Sequence, residues 1–136
     1  MKIMLMMHAP RQGKGWSEAG IGTWPPADIK AHINFMMQLN KELKSAGEFV
    51  DAQGLSGPDE ARIVRSAPKT GAPEVTDGPY PEAKEFLAGF WIIDVESKDR
   101  AYAVAARASS APGKGGVPLN MAIEVREVMS GPPPVD

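Results

Sequence analysis

The chain has 136 residues, of which 43% are apolar and 24% charged, with a formal net charge of −2 and no cysteine. A chain of this length can bury roughly two-thirds of the surface that its unfolded form exposes, so we expect one domain that needs no disulfide or metal staple. The lack of cysteine excludes disulfide frameworks, thiolate metal sites and cysteine nucleophiles, and the near balance of 15 basic and 17 acidic residues argues against binding to nucleic acid or an anionic membrane.

The first predicted element is a strand over residues 2–8, because side chains alternate there between two faces that are both mostly apolar. One face carries Ile3, Leu5 and Met7, and the other carries Met4, Met6 and His8. Residues 3–7 are too few for the core of a signal peptide, and no apolar run of about 18 residues follows. We therefore expect a cytoplasmic protein. Residues 9–25 form a long loop rich in glycine and proline, and loops of this length are often functional.

A helix is predicted from Pro26 to residues 45–47, since proline suits the first helical position and glycine commonly follows the last. Its apolar side chains repeat at helical spacing and include Ile29, Ile33, Met36, Leu39 and Leu43. Two polar side chains, His32 and Asn40, lie within this apolar arc. The arc is wider than packing against one sheet requires.

The next strands are predicted at residues 48–53 and 61–66, paired around a turn. Residues 67–81 contain many glycines and prolines and are expected to be an irregular connection. Residues 86–95 have the strongest strand pattern of the chain, again apolar on both faces. Phe90 and Ile92 point to one side, and Trp91, Ile93 and Val95 point to the other.

A second helix is predicted after Ser97, which suits an N-cap position, and a last strand at residues 122–128. Residues 1–129 then form a single domain, and the proline-rich residues 130–136 are expected to be a mobile tail. This order resembles the ferredoxin-like α+β fold, βαββαβ, in which an antiparallel sheet carries both helices on one face. Since two strands are apolar on both faces, we predict that a second copy of the chain covers the other face in a homodimer.

His32 is the first candidate for a catalytic residue, because histidine can act as acid or base near neutral pH. The alternative is a histidine at the edge of the core, hydrogen-bonded to a carbonyl. Asp77 begins the motif Asp-Gly-Pro-Tyr, and either its carboxylate serves the same cleft or it accepts a backbone N–H two residues on in a turn. His8, Trp24 and Tyr80 are candidates to bind substrate. The two histidines give little support for a metal site, and we expect no cofactor.

Residues 75–85, followed by residues 87–95, resemble the signature of the YCII-related family and its DGPF subgroup, with Tyr80 in place of the usual phenylalanine. Similarity extends to residues 1–5, 32–43, 46–47, 53–55 and 123–126. Gln53 departs from the pattern, because relatives commonly carry an acidic residue there. The resemblance implies a dimeric α/β barrel in which two sheets pack face to face, with a site around a histidine and an aspartate, here His32 and Asp77.

Related dimeric barrels include lactone isomerases and dehydrochlorinases, which act on small cyclic or aromatic compounds. Our leading hypothesis is therefore a cofactor-independent lyase or isomerase in which His32 acts as base or acid and Asp77 orients the imidazole. The rival is a ligand-binding or regulatory dimer without turnover. Genes of the subgroup often neighbour those of extracytoplasmic-function sigma factors, so the resemblance implies such a partner for the rival. An enzyme needs His32 to be accessible from a pocket, whereas a scaffold can bury it in a satisfied hydrogen bond.

Overall fold

An antiparallel sheet of four strands organises the chain, for which a computed structural model describes residues 1–10, 21–80 and 83–135. The helices and strands are β1 (Lys2–Pro10), α1 (Pro26–Ser45), β2 (Phe49–Gly54), β3 (Arg62–Arg65), β4 (Glu74–Asp77), β5 (Glu85–Asp94), α2 (Lys98–Ser109) and β6 (Ile123–Glu127). The sheet order is β2-β5-β1-β6, and side chains of both helices join the same core as the sheet. This is the ferredoxin-like α+β arrangement, so the predicted fold class is confirmed.

Both helices begin and end where the local signals predict. Proline occupies the first turn of α1, and the C-terminal end is closed by Glu48 N donating to Leu43 O and by Gly47 N donating to Lys44 O. Gly47 has a φ of 71°, a left-handed conformation that glycine adopts without strain. At α2, the Ser97 hydroxyl accepts a hydrogen bond from Arg100 N. In the part of the chain that the structure describes, neither helix is long and apolar enough to cross a membrane.

The structure differs from the prediction in one strand pairing and in one additional strand. The predicted pairing of residues 48–53 with 61–66 is wrong, because β2 pairs with β5 and β3 pairs with β4. The predicted irregular connection over residues 67–81 contains β4. β3 and β4 form a separate two-stranded sheet, inserted in the chain between β2 and β5.

The two faces of the main sheet differ in their burial. In the β1–β5 pair, Ile3 lies opposite Ile93 and Leu5 opposite Trp91, and all four side chains are buried beneath the helices. The alternate positions carry Met4, Met6, Phe90 and Ile92, which are only half-buried. Because successive side chains of a strand point to opposite faces of the sheet, these four form an apolar patch on the face away from the helices.

An ion pair joins the beginning of β2 to the first turn of α2. Arg100 donates hydrogen bonds from Nε and Nη2 to the two carboxylate oxygens of Glu48, at 2.9 and 2.8 Å. These bonds hold the pKa of the Glu48 carboxyl below its ordinary value and raise the pKa of Arg100. The ion pair thus links the segment between α1 and β2 to the first turn of α2 by a bidentate contact.

Candidate functional site

A cavity of about 780 Å³ lies where β1 ends, beside the first turns of α1 and the segment that follows α2. Its lining among the described residues is mainly apolar, with a few polar groups, and comprises Met7, His8, Ala9, Pro10, Ile21, Trp24, His32, Leu55, Glu85, Ala88, Lys114, Val117, Pro118, Leu119, Asn120, Met121 and Ala122. We call it the large cavity. A concave apolar space with few polar groups is the usual form of a small-molecule site.

His32 lies in the second turn of α1 and lines this cavity. Its Nδ1 lies 3.0 Å from the carbonyl oxygen of Pro112, and its ring packs edge-on against Trp24, with centroids 5.6 Å apart and planes at 81°. A carbonyl only accepts, so Nδ1 carries the hydrogen of this bond and the neutral ring keeps its lone pair on Nε2. Among the described residues, no hydrogen bond occupies Nε2. His32 thus has one nitrogen held by the backbone and one left for acid–base chemistry.

The carbonyl of Pro112 is held by a short loop. Pro112 bridges to Pro118, and Gly113 N donates to Val117 O at 2.7 Å. Gly115, with a φ of 72°, donates its N–H to Asp28 Oδ2 on α1 at 2.9 Å. Two contacts, one from His32 and one from Asp28, therefore fix the loop against the beginning of α1.

His8 also lines the large cavity. Its Nε2 lies 3.0 Å from Glu124 Oε1 on the neighbouring strand β6, and its side chain is 27% exposed. A carboxylate accepts the hydrogen bond, so His8 carries a hydrogen on Nε2. His8, Trp24 and His32 accordingly line one cavity, and their role in binding a substrate stays a prediction.

A second cavity, of about 260 Å³, lies along α1, and we call it the small chamber. Its described lining is Met7, His32, Met36, Asn40, Ala52, Gln53, Gly54, Gly89, Phe90 and Trp91. Met7 and His32 line both spaces. His32 therefore borders both the large cavity and the small chamber.

Asp77 lies elsewhere in the described structure. It ends β4, its side chain is 98% exposed, and its Oδ1 is 3.8 Å from Arg62 Nε. The alternative prediction of a turn bond to the N–H two residues on fails, because position 79 is proline and has no N–H. Neither Asp77 nor the half-exposed Tyr80 is among the described residues that line the two cavities. Their roles in a site stay predictions.

Two partners in the site were missed by sequence reasoning. The carbonyl of Pro112, rather than a carboxylate, holds Nδ1 of His32. The indole Nε1 of Trp91 donates to Asn40 Oδ1 at 2.9 Å, which explains one polar side chain in the apolar arc of α1. Every residue has a carbonyl, so no sequence signal distinguishes Pro112, whereas Asn40 stands out in the helical pattern as a polar group among apolar ones.

The described side chains do not assemble a metal site. Within residues 1–10, 21–80 and 83–135, no group of three or more His, Asp or Glu side chains is placed to hold an ion.

Residues 2–118 match the family model of the YCII-related domain. The match covers well over half of the 136 residues, and the chain belongs to the YCII-related family. Among curated proteins no match was found. The family resemblance is thus confirmed, and the DGPF subgroup stays a prediction.

Proposed function

We propose that this member of the YCII-related family is a small enzyme of the lyase or isomerase type, in which Nε2 of His32 takes a proton from a small organic substrate. The observation that carries the proposal is the hydrogen bond from Nδ1 to Pro112 O at 3.0 Å. That bond selects the tautomer whose lone pair is on Nε2, and His32 lines a cavity large enough for a small molecule. Geometry and tautomer together are what a general base needs.

The reaction begins at a carbon next to a carbonyl group of the substrate. Nε2 removes a proton from this carbon, and the electron pair of the broken C–H bond passes into the carbonyl as an enolate. In an isomerase the imidazolium returns the same proton to a different carbon. In a lyase the electron pair of the enolate instead forms a C=C bond and expels a leaving group from the adjacent carbon, and the imidazolium gives its proton to the leaving group. Throughout the reaction, the Nδ1–H group of His32 keeps its hydrogen bond to the Pro112 carbonyl. When the ring is protonated, this bond has a charged donor and stabilises the imidazolium.

The proposal gives Asp77 no part in orienting the imidazole, because the Pro112 carbonyl already does so. Trp24 packs against the ring from the side and restricts its rotation. His8 and Glu124 form a second polar pair in the same cavity, where they can bind a polar substituent of the substrate.

The experiment follows proton exchange, so that the substrate need not be known beforehand. A panel of small cyclic ketones, lactones and aromatic ketones is incubated with the protein in D₂O, and deuterium incorporation is followed by NMR. The test variant is His32→Asn, since the Asn amide nitrogen lies about where Nδ1 lies and can keep the bond to Pro112. Asn34→Ala is the control, at an exposed position of α1 that is not among the described lining of either cavity. We expect exchange with the wild type and with Asn34→Ala, and a loss of about 10²-fold or more with His32→Asn.

A ligand-binding module without turnover is the second candidate. It is favoured by one observation, namely that His32 makes the carbonyl bond predicted for a structural histidine. If panel compounds bind and quench tryptophan fluorescence but none exchanges deuterium, the result favours a ligand-binding function over an enzymatic one. A sigma factor is then the partner to test for binding. Exchange that survives unchanged in His32→Asn would contradict the proposed base.

We further propose that a second copy of the chain covers the open face of the sheet. Met4, Met6, Phe90 and Ile92 form a contiguous half-buried apolar patch there, of the kind that marks an interface. Light scattering at micromolar concentration should give the mass of a dimer. Met6→Glu should give a monomer, whereas Val64→Glu, at a 61% exposed position of the small sheet, should leave the mass unchanged. A monomeric wild type would contradict the dimer.

A further inference from the structure

The small chamber runs lengthwise along α1. His32, Met36 and Asn40 follow one another at intervals of four residues, so their side chains share one face of the helix. The opposite wall consists of the ends of strands, where Gly54 of β2 lies opposite Gly89 of β5. Gly54 leaves room at this point, since a Cβ on it would have no atom within 4 Å.

Asn40 has a fixed orientation in this chamber. The indole N–H of Trp91 can only donate, so the atom 2.9 Å from it is the amide oxygen of Asn40 and not the nitrogen. Trp91 is 5% exposed and belongs to the core, which holds the bond in place. The two N–H groups of Asn40 Nδ2 make no hydrogen bond to the described residues, and Asn40 lines the chamber. The amide is therefore a preoriented donor.

The other residues that line the small chamber determine which charge a bound ligand can carry. Met7, Met36 and Ala52 are apolar, and Gln53 is uncharged, with its amide nitrogen donating to Asp51 Oδ1. No Lys, Arg, Asp or Glu is among the described residues of the chamber wall. An anionic group would lose its hydration there without a cation to replace it, which is costly. A neutral oxygen that accepts a hydrogen bond, as in a ketone, lactone or ether, suits the amide donor of Asn40.

We propose that the small chamber binds a neutral oxygen acceptor of the substrate through Asn40 Nδ2, while the reacting carbon lies at His32. This assignment rests on the proposed function and specifies its substrate class. Eight residues separate the two side chains on α1, about 12 Å along the axis, and a hydrogen-bond reach of about 3 Å at each end leaves about 6 Å. A six-membered ring that carries the oxygen at one position and the reacting carbon as a substituent at the opposite position is of that size.

The test uses the tryptophan side chains as reporters of the two spaces. Trp91 hydrogen-bonds to Asn40, and Trp24 packs against His32, so their indole ¹H–¹⁵N signals report on the chamber and on the large cavity. Tryptophan-to-phenylalanine variants assign the signals. The probes are acetophenone, a neutral ketone, and benzoate, an anion of similar size. We expect acetophenone to shift the Trp91 signal in a saturable way, and benzoate to shift it far less.

Two variants establish the contact. Asn40→Asp keeps an oxygen for the Trp91 indole but removes the donor, and should weaken acetophenone binding by about 3- to 10-fold. Met36→Phe fills the chamber while leaving Asn40 and Trp91 in place, and should abolish the Trp91 shift even if Asn40→Asp folds poorly. Acetophenone that shifts only Trp24, or that binds Asn40→Asp as tightly as the wild type, overturns the proposal.

The two proposals fail in different ways. His32→Asn should abolish deuterium exchange and still show the acetophenone shift at Trp91, because the chamber contact does not need the imidazole. A shift at Trp91 without any exchange supports the chamber and contradicts the enzyme. Exchange catalysed on compounds that leave Trp91 unaffected supports the enzyme and contradicts the chamber.

Discussion

Gly54 and Gly89 lie directly opposite each other on β2 and β5, yet only one of them has room for a side chain. A Cβ on Gly89 would lie 2.9 Å from the backbone oxygen of Gln53, whereas a Cβ on Gly54 would have no atom within 4 Å. The close approach of the two backbones therefore depends on Gly89 alone.

Gly89→Ala is expected to destabilise the protein, because the clash is with backbone and the strands must move apart. Overpacking of this kind costs about 1–3 kcal/mol, which urea unfolding would measure. Gly54→Ala is the matched control in the same pair and should change the free energy of unfolding by less than about 0.5 kcal/mol. Equal effects of the two substitutions would contradict the close approach of the strands at Gly89.

The two histidines should have opposite neutral tautomers. His32 donates from Nδ1 to a carbonyl, and His8 donates from Nε2 to a carboxylate. Long-range ¹H–¹⁵N correlation spectra distinguish the two forms, and the chain has only two histidines to assign. Glu124→Gln should alter the His8 signals and leave those of His32 in place. An Nε2–H tautomer at His32 would contradict both the Pro112 bond and the proposed base.

Trp91→Phe should lower the stability by about 1–3 kcal/mol, because it removes buried volume and the hydrogen bond to Asn40. Trp24→Phe, at a half-buried position outside the core cluster, is the control and should cost about 1 kcal/mol or less. In an Asn40→Leu background the loss at Trp91 should shrink, since the bond is already gone. Strictly additive losses would show that the two side chains are not coupled.

Stability should fall in acid partly through Glu48. Arg100 lowers the pKa of its carboxyl in the folded state, so the stabilisation is present above the unfolded pKa, ordinarily 4.5, and is lost as the pH falls through the folded value. Glu48→Gln is expected to be about 0.5–1 kcal/mol less stable near neutral pH, because Arg100 is half-exposed.

That difference should shrink in urea unfolding as the pH falls below 4.5, the ordinary pKa of the carboxyl, and through its lower folded value. In an Arg100→Gln background the Glu48 substitution should have little effect at any pH. A Glu48→Gln deficit that is the same in acid and at neutral pH would rule out the ion pair as its cause.

Local signals account for what the sequence predicted correctly about the fold. Proline at the beginning of α1, Gly47 after its end and the cap at Ser97 each act within a few residues. The strand pairing was mispredicted because alternation identifies a strand but not its neighbour in the sheet. β4 was missed because its four residues are all exposed and therefore show no alternation.

The residues of the candidate site also divide into those that local sequence signals identify and those that they do not. His32 is identifiable from the sequence as a histidine on an apolar helical face, and the family resemblance points to it as well. Its partner is not, because Pro112 contributes a carbonyl that every residue has. Asp77, predicted beside the imidazole, lies at the end of β4 with its carboxylate exposed, and a motif in the sequence carries no information about where its loop will lie.

The sequence by itself determined the helix boundaries, the two apolar faces of β1 and β5, the fold class and the family, since these follow from spacing over a few residues or from similarity along the chain. Only the tertiary structure decided which strands pair, which atom holds Nδ1 of His32, and that Asn40 and Trp91 hydrogen-bond at one end of a chamber. These contacts join residues far apart in the chain, and their geometry arises only when the helices pack on the sheet.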